Sequence, residues 1–548
     1  MVVSSQAGAA SGGLRGRRRL LEVLAVSALG GVVLYAGVRW PAAGPLVGAG
    51  YAILLLPAIC DRWRAPILGF VPGLMGYAVS MHIVLKKFAW FAPILLAPAL
   101  SWHFAIMGVL AYALWRATRW PAFVVLPLAM GAEDWLRPLV GVGNFTMYQV
   151  GTFLYDYPLL IQLADVVGAR GLTVLYGVVL GTMAEAARAW IDGPPPDLRR
   201  RLRLGAALSA AIVAVATAYG AWRLATERLE PGPRLAVIQP SQDHAPELTD
   251  RTVQFQQRFT AEHVPPGAAD MIVWPENSVM LPYETHPVYQ QVVTWLASTR
   301  KAYMLIGTQG TRGGGKHPSA RSLLIDPGGA ILGRYDKIYL FPFTERRAFI
   351  FLDEIFPWLA RQIDRLVVMA WGHAPDGLPG REATVFSIEV DGKTYRFWTP
   401  LCYDVDYADS AREAARNGAQ FFVNMTSEGW LGWGVAHNQL ASSIMRAVES
   451  RVGVVRVGNT GISGFILPSG RVDRFLVGTS EHWRPMDDPR ILVKGALTRR
   501  VMLDPDRPTV YTRFGGIIDL LWPAAWLVGT VAGLLRRRRA EQPVPTGA

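Results

Sequence analysis

Long apolar runs dominate the first 223 residues and return once near the C-terminus, while 224–514 alternates short apolar stretches with polar turns. Eight runs are long and apolar enough to cross a bilayer core of roughly 30 Å, which takes about 20 helical residues. They are 20–40, 44–60, 66–86, 90–115, 120–139, 171–189, 204–223 and 515–535. The first follows Arg15, Arg17, Arg18 and Arg19, as a secretory signal would, but the six apolar runs behind it favour a retained membrane helix.

Charge distribution orients these helices. With the N-terminal arginines in the cytoplasm, the loops after the second, fourth and sixth spans are also cytoplasmic. These carry Arg62 and Arg64, then Arg116 and Arg119, then Arg199, Arg200, Arg201 and Arg203; Arg536 to Arg539 follow the last span. The loops on the other side are poorer in basic residues, Lys86 and Lys87 being the main exception. The positive-inside rule therefore predicts a multi-pass inner-membrane protein with both termini cytoplasmic and 224–514 outside. The expected domains are a seven-span membrane part (1–223), an extracytoplasmic domain (224–514), a C-terminal span (515–535) and a cytoplasmic tail (536–548).

Composition agrees. The chain has 548 residues, of which 51% are hydrophobic and only 18% charged, too apolar for an ordinary soluble enzyme of this length. The net charge of +13 sits largely in the arginine clusters flanking apolar runs, which argues against nucleic acid as a partner. Two cysteines make no disulfide framework; Cys60 lies inside an apolar run, which leaves Cys402 as an unpaired thiol in an exported domain. The external segment VGVGNFTMYQVGTFLYDYPLLIQ (140–162) is rich in Gly and aromatics. It fits an interfacial aromatic belt or the lining of a lateral opening beneath the external domain.

Within that domain, strands are expected at 234–240, 270–276, 302–310, 322–337, 383–398, 420–426 and 454–472. Turns at Pro327-Gly328-Gly329, Asp391-Gly392 and Ser469-Gly470 mark hairpins. Amphipathic helices are expected near 247–263, 286–300, 407–417 and 436–451. Alternating strands and helices with hairpins predict a layered α/β domain.

Three strand-like runs end on chemistry-bearing residues: Glu276 in VWPENS, Lys337 with Glu345 eight residues on in GRYDKIYLFPFTE, and Cys402-Tyr403-Asp404 in WTPLCYDVDY. Each alone reads as a loop charge or a packed thiol. Together they supply a nucleophile, a base to activate it, and donors for an oxyanion in Lys337 and the Tyr403 amide. That set needs neither metal nor cofactor.

The ordered WPE, YDK and CYD motifs at 274–276, 335–337 and 402–404 resemble the nitrilase superfamily over about 233–500. The resemblance extends through NGAQFFVNMTSEGW (417–430) and RAVESRVGVVRVGNTGISGFILPSGRV (446–472). It implies an αββα sandwich with Glu276 as general base, Lys337 as transition-state stabiliser and Cys402 as nucleophile. With eight spans added, the whole chain is similar to the superfamily's integral-membrane branch, the apolipoprotein N-acyltransferases. That likeness implies a phospholipid donor, an acyl thioester on Cys402, and transfer to the α-amino group of a lipoprotein's diacylglyceryl-cysteine. It also implies a supporting role for Glu345. A membrane-tethered amidohydrolase, or an acyltransferase with another amine acceptor, is the alternative.

Two departures lie near the nucleophile. The family has Cys-Tyr-Glu where this chain has Cys402-Tyr403-Asp404, so any hydrogen bond of the shorter carboxylate must be re-aimed. It has Asn-Asp before a Trp where this chain has Ser427-Glu428-Gly429-Trp430. AFIFLDEIFPWLARQIDRLVVMAW (348–371) and GWLGWG (429–434) are apolar for exported loops; they either pack on the domain or form arms that dip into the bilayer surface. GTRGGGKH (310–317) lacks the Ser or Thr of a phosphate-binding loop and reads as a hairpin loop. His437 reads as a structural residue on its helix rather than a base. Glu449 is expected to fix neighbouring backbone or the surroundings of Lys337.

Overall fold

A computed structural model describes residues 3–63, 92–139, 146–242, 248–312, 317–342, 344–347, 355–371, 375–428, 433–478 and 488–541. The first part contains helices α1 (Val3–Arg39), α2 (Pro45–Ile59), α3 (Ala92–Thr118), α4 (Ala122–Leu136), α5 (Ala164–Asp192) and α6 (Leu198–Ala225). The second adds α7 (Thr249–His263), α8 (Pro287–Arg300), α9 (Pro357–Trp371), α10 (Ala408–Arg416) and α11 (Trp433–Ser450), before the terminal α12 (Val510–Glu541). Helices coincide with every expected span but the third, 66–86, which lies outside the described residues.

Among the described residues, four helical segments are long and apolar enough to cross a membrane: Arg17–Arg39, Ala164–Asp192, Leu198–Ala225 and Val510–Ala540. The α2 helix is only 15 residues long, and α4 stops at Leu136, where its apolar run gives way to Glu133, Asp134 and Arg137. At one end of the bundle the basic loops meet: Arg119 pairs with Asp61 at 2.9 Å and Arg62 with Glu22 at 2.6 Å. There Asp192 accepts from the backbone amides of Asp61 and Arg62.

The layered domain is two six-stranded sheets. The first runs β12-β1-β2-β3-β4-β5 and the second β11-β10-β9-β8-β7-β6. Their strands are β1 (Glu230–Gln239), β2 (Met271–Val273), β3 (Tyr303–Arg312), β4 (His317–Ile325), β5 (Ile331–Asp336) and β6 (Val385–Val390). The remainder are β7 (Lys393–Trp398), β8 (Phe421–Thr426), β9 (Gly453–Gly458), β10 (Gly464–Ile466), β11 (Val472–Phe475) and β12 (Gly495–Leu503). β1, β2 and β3 pair in parallel, as do β7, β8 and β9; the other pairings are antiparallel.

Period-two alternation explains the layers. In β1, Leu235 and Val237 face the core shared by both sheets, where they meet Phe397, Phe421 and Val455. Ala236 and Ile238 face outward onto Val253 and Phe259 of α7 and Val293 and Leu296 of α8. Helices α10 and α11 cover the second sheet with Ala411, Ala414, Leu440, Ile444 and Met445. The result is the expected αββα sandwich.

The sandwich is bolted to the helical part by buried ion pairs. Arg451 meets Asp165 at 2.7 Å, and Arg412 and Arg170 converge on Asp519 at 3.3 and 2.6 Å. Glu449 accepts from the Ala169 amide at 2.8 Å and pairs with Arg446. It therefore fixes backbone of α5 rather than the surroundings of Lys337. Residues 146–155, expected either as an interfacial belt or as the lining of an opening, are buried.

Candidate active site

Three chain segments deliver the expected residues to one point. Glu276 follows β2 in a tight turn: Asn277 has φ +55°, Asn277 Oδ1 accepts from Gln309 at 2.8 Å, and the Ser278 hydroxyl donates to Gly307 O at 2.9 Å. Gly307 is required there, since a Cβ on it would lie 2.5 Å from Pro275 O and 2.7 Å from Glu276 Cα. Lys337 is the first residue past β5, and its amide continues the strand pairing to Ala320 O at 2.9 Å. Cys402 opens a 3-10 turn (Cys402–Asp406) shortly after β7, at φ +46°. A non-glycine residue there carries backbone strain of about 1–3 kcal/mol, which the surrounding contacts must hold.

Lys337 Nζ donates to Glu276 Oε1 at 3.0 Å and to Glu345 Oε1 at 2.8 Å. Glu345 is itself anchored by the Phe341 amide at 2.7 Å. Glu276 and the Cys402 thiol lie near enough that each shifts the other's proton affinity, and Gln439 Nε2 donates to the thiol's Sγ at 3.2 Å. Glu276, Lys337 and Cys402 are 4%, 1% and 7% exposed, so reaction at this point is shielded from bulk water.

Burial sets the electrostatics. It lifts the Glu276 carboxyl to about 7, although Lys337 opposes the rise. Burial works against the Lys337 ammonium, but Glu276 and Glu345 outweigh it and hold the amine well above its ordinary range. Burial pushes the Cys402 thiol up, and the neighbouring Glu276 charge pushes it further. The resting cluster is thus a thiol beside a carboxylate and a fixed cation. A carboxylate titrating near neutrality is matched to taking a proton from the sulfur as a C–S bond forms.

Asp404 accepts four hydrogen bonds. Its Oδ1 accepts from the Ile338 and Tyr339 amides at 3.2 and 2.7 Å. Its Oδ2 accepts from the Tyr335 hydroxyl at 2.7 Å and the Leu401 amide at 3.1 Å. One buried carboxylate therefore clasps both flanks of Lys337 to the residue before Cys402. Tyr403 is fully buried, and its hydroxyl accepts from the Thr146 amide at 3.0 Å.

Sequence reasoning did not single out the polar floor beneath the cysteine. Gln439 bridges Sγ to the Thr426 hydroxyl, which donates to Gln439 Oε1 at 2.8 Å. Arg456 donates to Asn424 at 2.7 Å and to the Ser443 hydroxyl at 2.8 Å, and pairs with Glu428 at 2.5 Å. Glu428, one of the two departures, is thus a buried ion-pair partner. His437 pairs with Asp488 at 2.8 Å, away from the thiol's hydrogen bonds. Of the 310–317 segment, residues 310–312 end β3 and His317 opens its antiparallel partner β4, while 313–316 lie outside the described residues. The expected apolar arm contains α9, with Ile355, Phe356, Trp358 and Met369 exposed at 61, 58, 66 and 72%; residues 348–354, and 429–432 of the second arm, lie outside the described residues.

Residues 30–182 match the family model described as the apolipoprotein N-acyltransferase N-terminal domain, and residues 234–482 match that of carbon-nitrogen hydrolase. A relative from Agrobacterium fabrum named apolipoprotein N-acyltransferase is 28% identical over 442 residues, covering 78% of each chain. One of the same name from Geobacter metallireducens is 25% identical over 540 residues, covering 94% of this chain and 95% of its own. Among solved structures, Saccharomyces cerevisiae Nit3, a member of branch 10 of the nitrilase superfamily, is 16% identical. It covers 53% of this chain and 95% of its own, with a TM-score of 0.34.

Proposed function

The chain belongs to the apolipoprotein N-acyltransferase family, and from that premise we propose that it acylates the α-amino group of a lipoprotein's diacylglyceryl-cysteine through a thioester on Cys402, with phospholipid as donor. The convergence of Glu276, Lys337 and Cys402, with Glu345 behind the lysine, carries this reading. Glu276 takes the thiol proton as sulfur attacks the ester carbonyl. Lys337 and the Tyr403 amide stabilise the oxyanion. The C–O bond breaks, and the lysophospholipid leaves as an alcohol with the proton from Glu276.

In the second half-reaction the acceptor amine attacks the thioester. A C–N bond forms, the C–S bond breaks, and the amine's proton returns by way of Glu276 to the thiolate. Transfer rather than hydrolysis requires water to be kept from the thioester. The exposed apolar side chains of this arm, Phe356 just before α9 and Trp358 and Met369 on it, would dip into the lipid surface and deliver the donor from it. In this reading 1–223 is the membrane domain, 224–514 the extracytoplasmic catalytic domain, 515–535 the last span, and both termini are cytoplasmic.

The test combines purified protein, phospholipid vesicles and a synthetic diacylated lipopeptide with a free amino terminus, with Cys402→Ala as the blank. N-acylated lipopeptide and lysophospholipid in equal amounts are expected. Free fatty acid with no N-acylated product, or ammonia release from small amides, would replace this reading with an amidohydrolase.

A further inference from the structure

A buried charged cluster lies in the helical part, outside the proposed chemistry. Arg137 donates through Nε and Nη2 to Glu133 at 2.9 and 2.5 Å, and through Nη2 to Asp134 at 3.0 Å. All three side chains are at most 2% exposed. Burying three charges among apolar helices is costly, and such residues ordinarily serve a purpose beyond stability. The remaining arm of the guanidinium, Nη1, reaches the backbone carbonyl of Met147 at 2.9 Å.

Met147 is the centre of a three-residue strap held from both sides. On the helical side, Arg137 holds Met147 O, and the Tyr51 hydroxyl donates to Tyr148 O at 2.9 Å. On the catalytic side, the Thr146 amide donates to the Tyr403 hydroxyl at 3.0 Å, and the Tyr148 amide to Asn438 Oδ1 at 2.9 Å. Asn438 Nδ2 donates in turn to Asp406 Oδ1 at 3.2 Å, at the far end of the cysteine turn. The next residue, Gln439, holds Cys402 Sγ. Tyr403 and Tyr407 also pack into the same apolar cluster as Tyr51, Met147 and Tyr148. The strained turn carrying the nucleophile is thereby gripped by the helical part at both ends.

We propose that residues 146–148 are a strap through which Tyr51 and the Glu133–Asp134–Arg137 cluster position the Cys402 turn, making Tyr51, Arg137 and Asn438 positioning residues for acylation. The inference rests on Cys402 being the nucleophile. It explains why the helical part is built into the site rather than serving only as an anchor: the φ +46° conformation of Cys402 is held partly from below.

The test is a double-mutant cycle between Tyr51→Phe, which removes one hydroxyl and leaves the charges paired, and Asn438→Ala. The readouts are the pH profile of iodoacetamide modification at Cys402, assigned by peptide mass, and the thermal midpoint of the full chain in detergent. Each single substitution is expected to slow Cys402 modification about 10-fold, since misplacement by about an ångström weakens activation by a neighbouring base, and to move the rising limb to higher pH. The double variant is expected to be no slower than the worse single, because either cut interrupts the same line of hydrogen bonds from Tyr51 through Tyr148 and Asn438 to Asp406. Independent effects that multiply, or a Tyr51→Phe variant with a lowered thermal midpoint but the parent's pH profile, would overturn the proposal. Acylation of the parent by phospholipid is measured separately. Its failure would bring down the proposed function while leaving the alkylation cycle interpretable.

Discussion

Asp404→Asn keeps the side chain's size and removes its charge, which sets two effects of similar magnitude against each other. Burial lifts the Asp404 carboxyl from 3.8 to about 6, against the pull of Lys337 and its four hydrogen-bond donors. Because the folded-state value is raised, its contribution to stability is full below about pH 4 and is lost as pH rises through about 6. At pH 7.5 keeping it ionised therefore costs about 3 kcal/mol relative to the unfolded chain. Asparagine removes that cost. Its amide oxygen can still accept from Ile338 and Tyr339, and its NH₂ can donate to a rotated Tyr335 hydroxyl, but it faces the Leu401 amide with another donor. One orphaned buried N–H costs about 1–3 kcal/mol. The two sides nearly cancel, so the stability change at pH 7.5 is expected to lie within about 2 kcal/mol of zero. Activity has no such offset. The clasp from the Lys337 flanks to Leu401 is broken on the cysteine side, and acyl transfer is expected to fall about 100-fold. Thermal unfolding in detergent and initial rates of lysophospholipid release measure both. A variant that keeps the parent's rate, or one that no longer folds, would refute the reasoning.

The rate of Cys402 acylation should rise with pH around a midpoint near 7, because only ionised Glu276 can take the thiol proton and its carboxyl is lifted to about 7; Glu276→Gln should lower the rate by about 100- to 10,000-fold and flatten that limb. Glu345→Gln leaves Lys337 paired with Glu276 but replaces its 2.8 Å carboxylate partner with a neutral amide. Steady-state kinetics should show kcat lower by about 10-fold with little change in KM, as expected where an interaction matters mainly in the transition state. Gly461→Ala would place a Cβ 2.2 Å from Glu428 Oε1. Displacing that carboxylate from Arg456 breaks a buried pair, a loss of about 3–5 kcal/mol that should appear as a large drop in thermal midpoint.

The sandwich was legible because short, largely apolar strands buried on both faces alternate with amphipathic helices, and hairpins sit at Pro-Gly, Asp-Gly and Ser-Gly pairs. β12 was not, since GALTRRVML mixes exposed arginines with few buried positions and pairs with β1, more than 250 residues earlier in the chain. The catalytic candidates stood out because each ends a strand-like run. Their support did not. His437, Asn438, Gln439, Ser442, Ser443, Arg446 and Glu449 look like the solvent face of an amphipathic helix, yet all are buried, because that face covers the cysteine and the top of the helical part. A polar helix face without lysine (AHNQLASSIMRAVES) is the signal that was available. The strap was hidden for another reason: its bonds come largely from backbone amides and carbonyls of residues 146–148, which side-chain identities do not reveal.

The central claim is that Cys402 carries the acyl group. Intact-protein mass spectrometry of the purified protein mixed with phospholipid, without acceptor, tests it directly against Cys402→Ala. The account predicts a hydroxylamine-sensitive mass increase of one acyl chain on the parent, mapped to the Cys402 peptide and matched by released lysophospholipid, with none on the variant. Folded parent protein that gains no acyl mass and releases no lysophospholipid would contradict it.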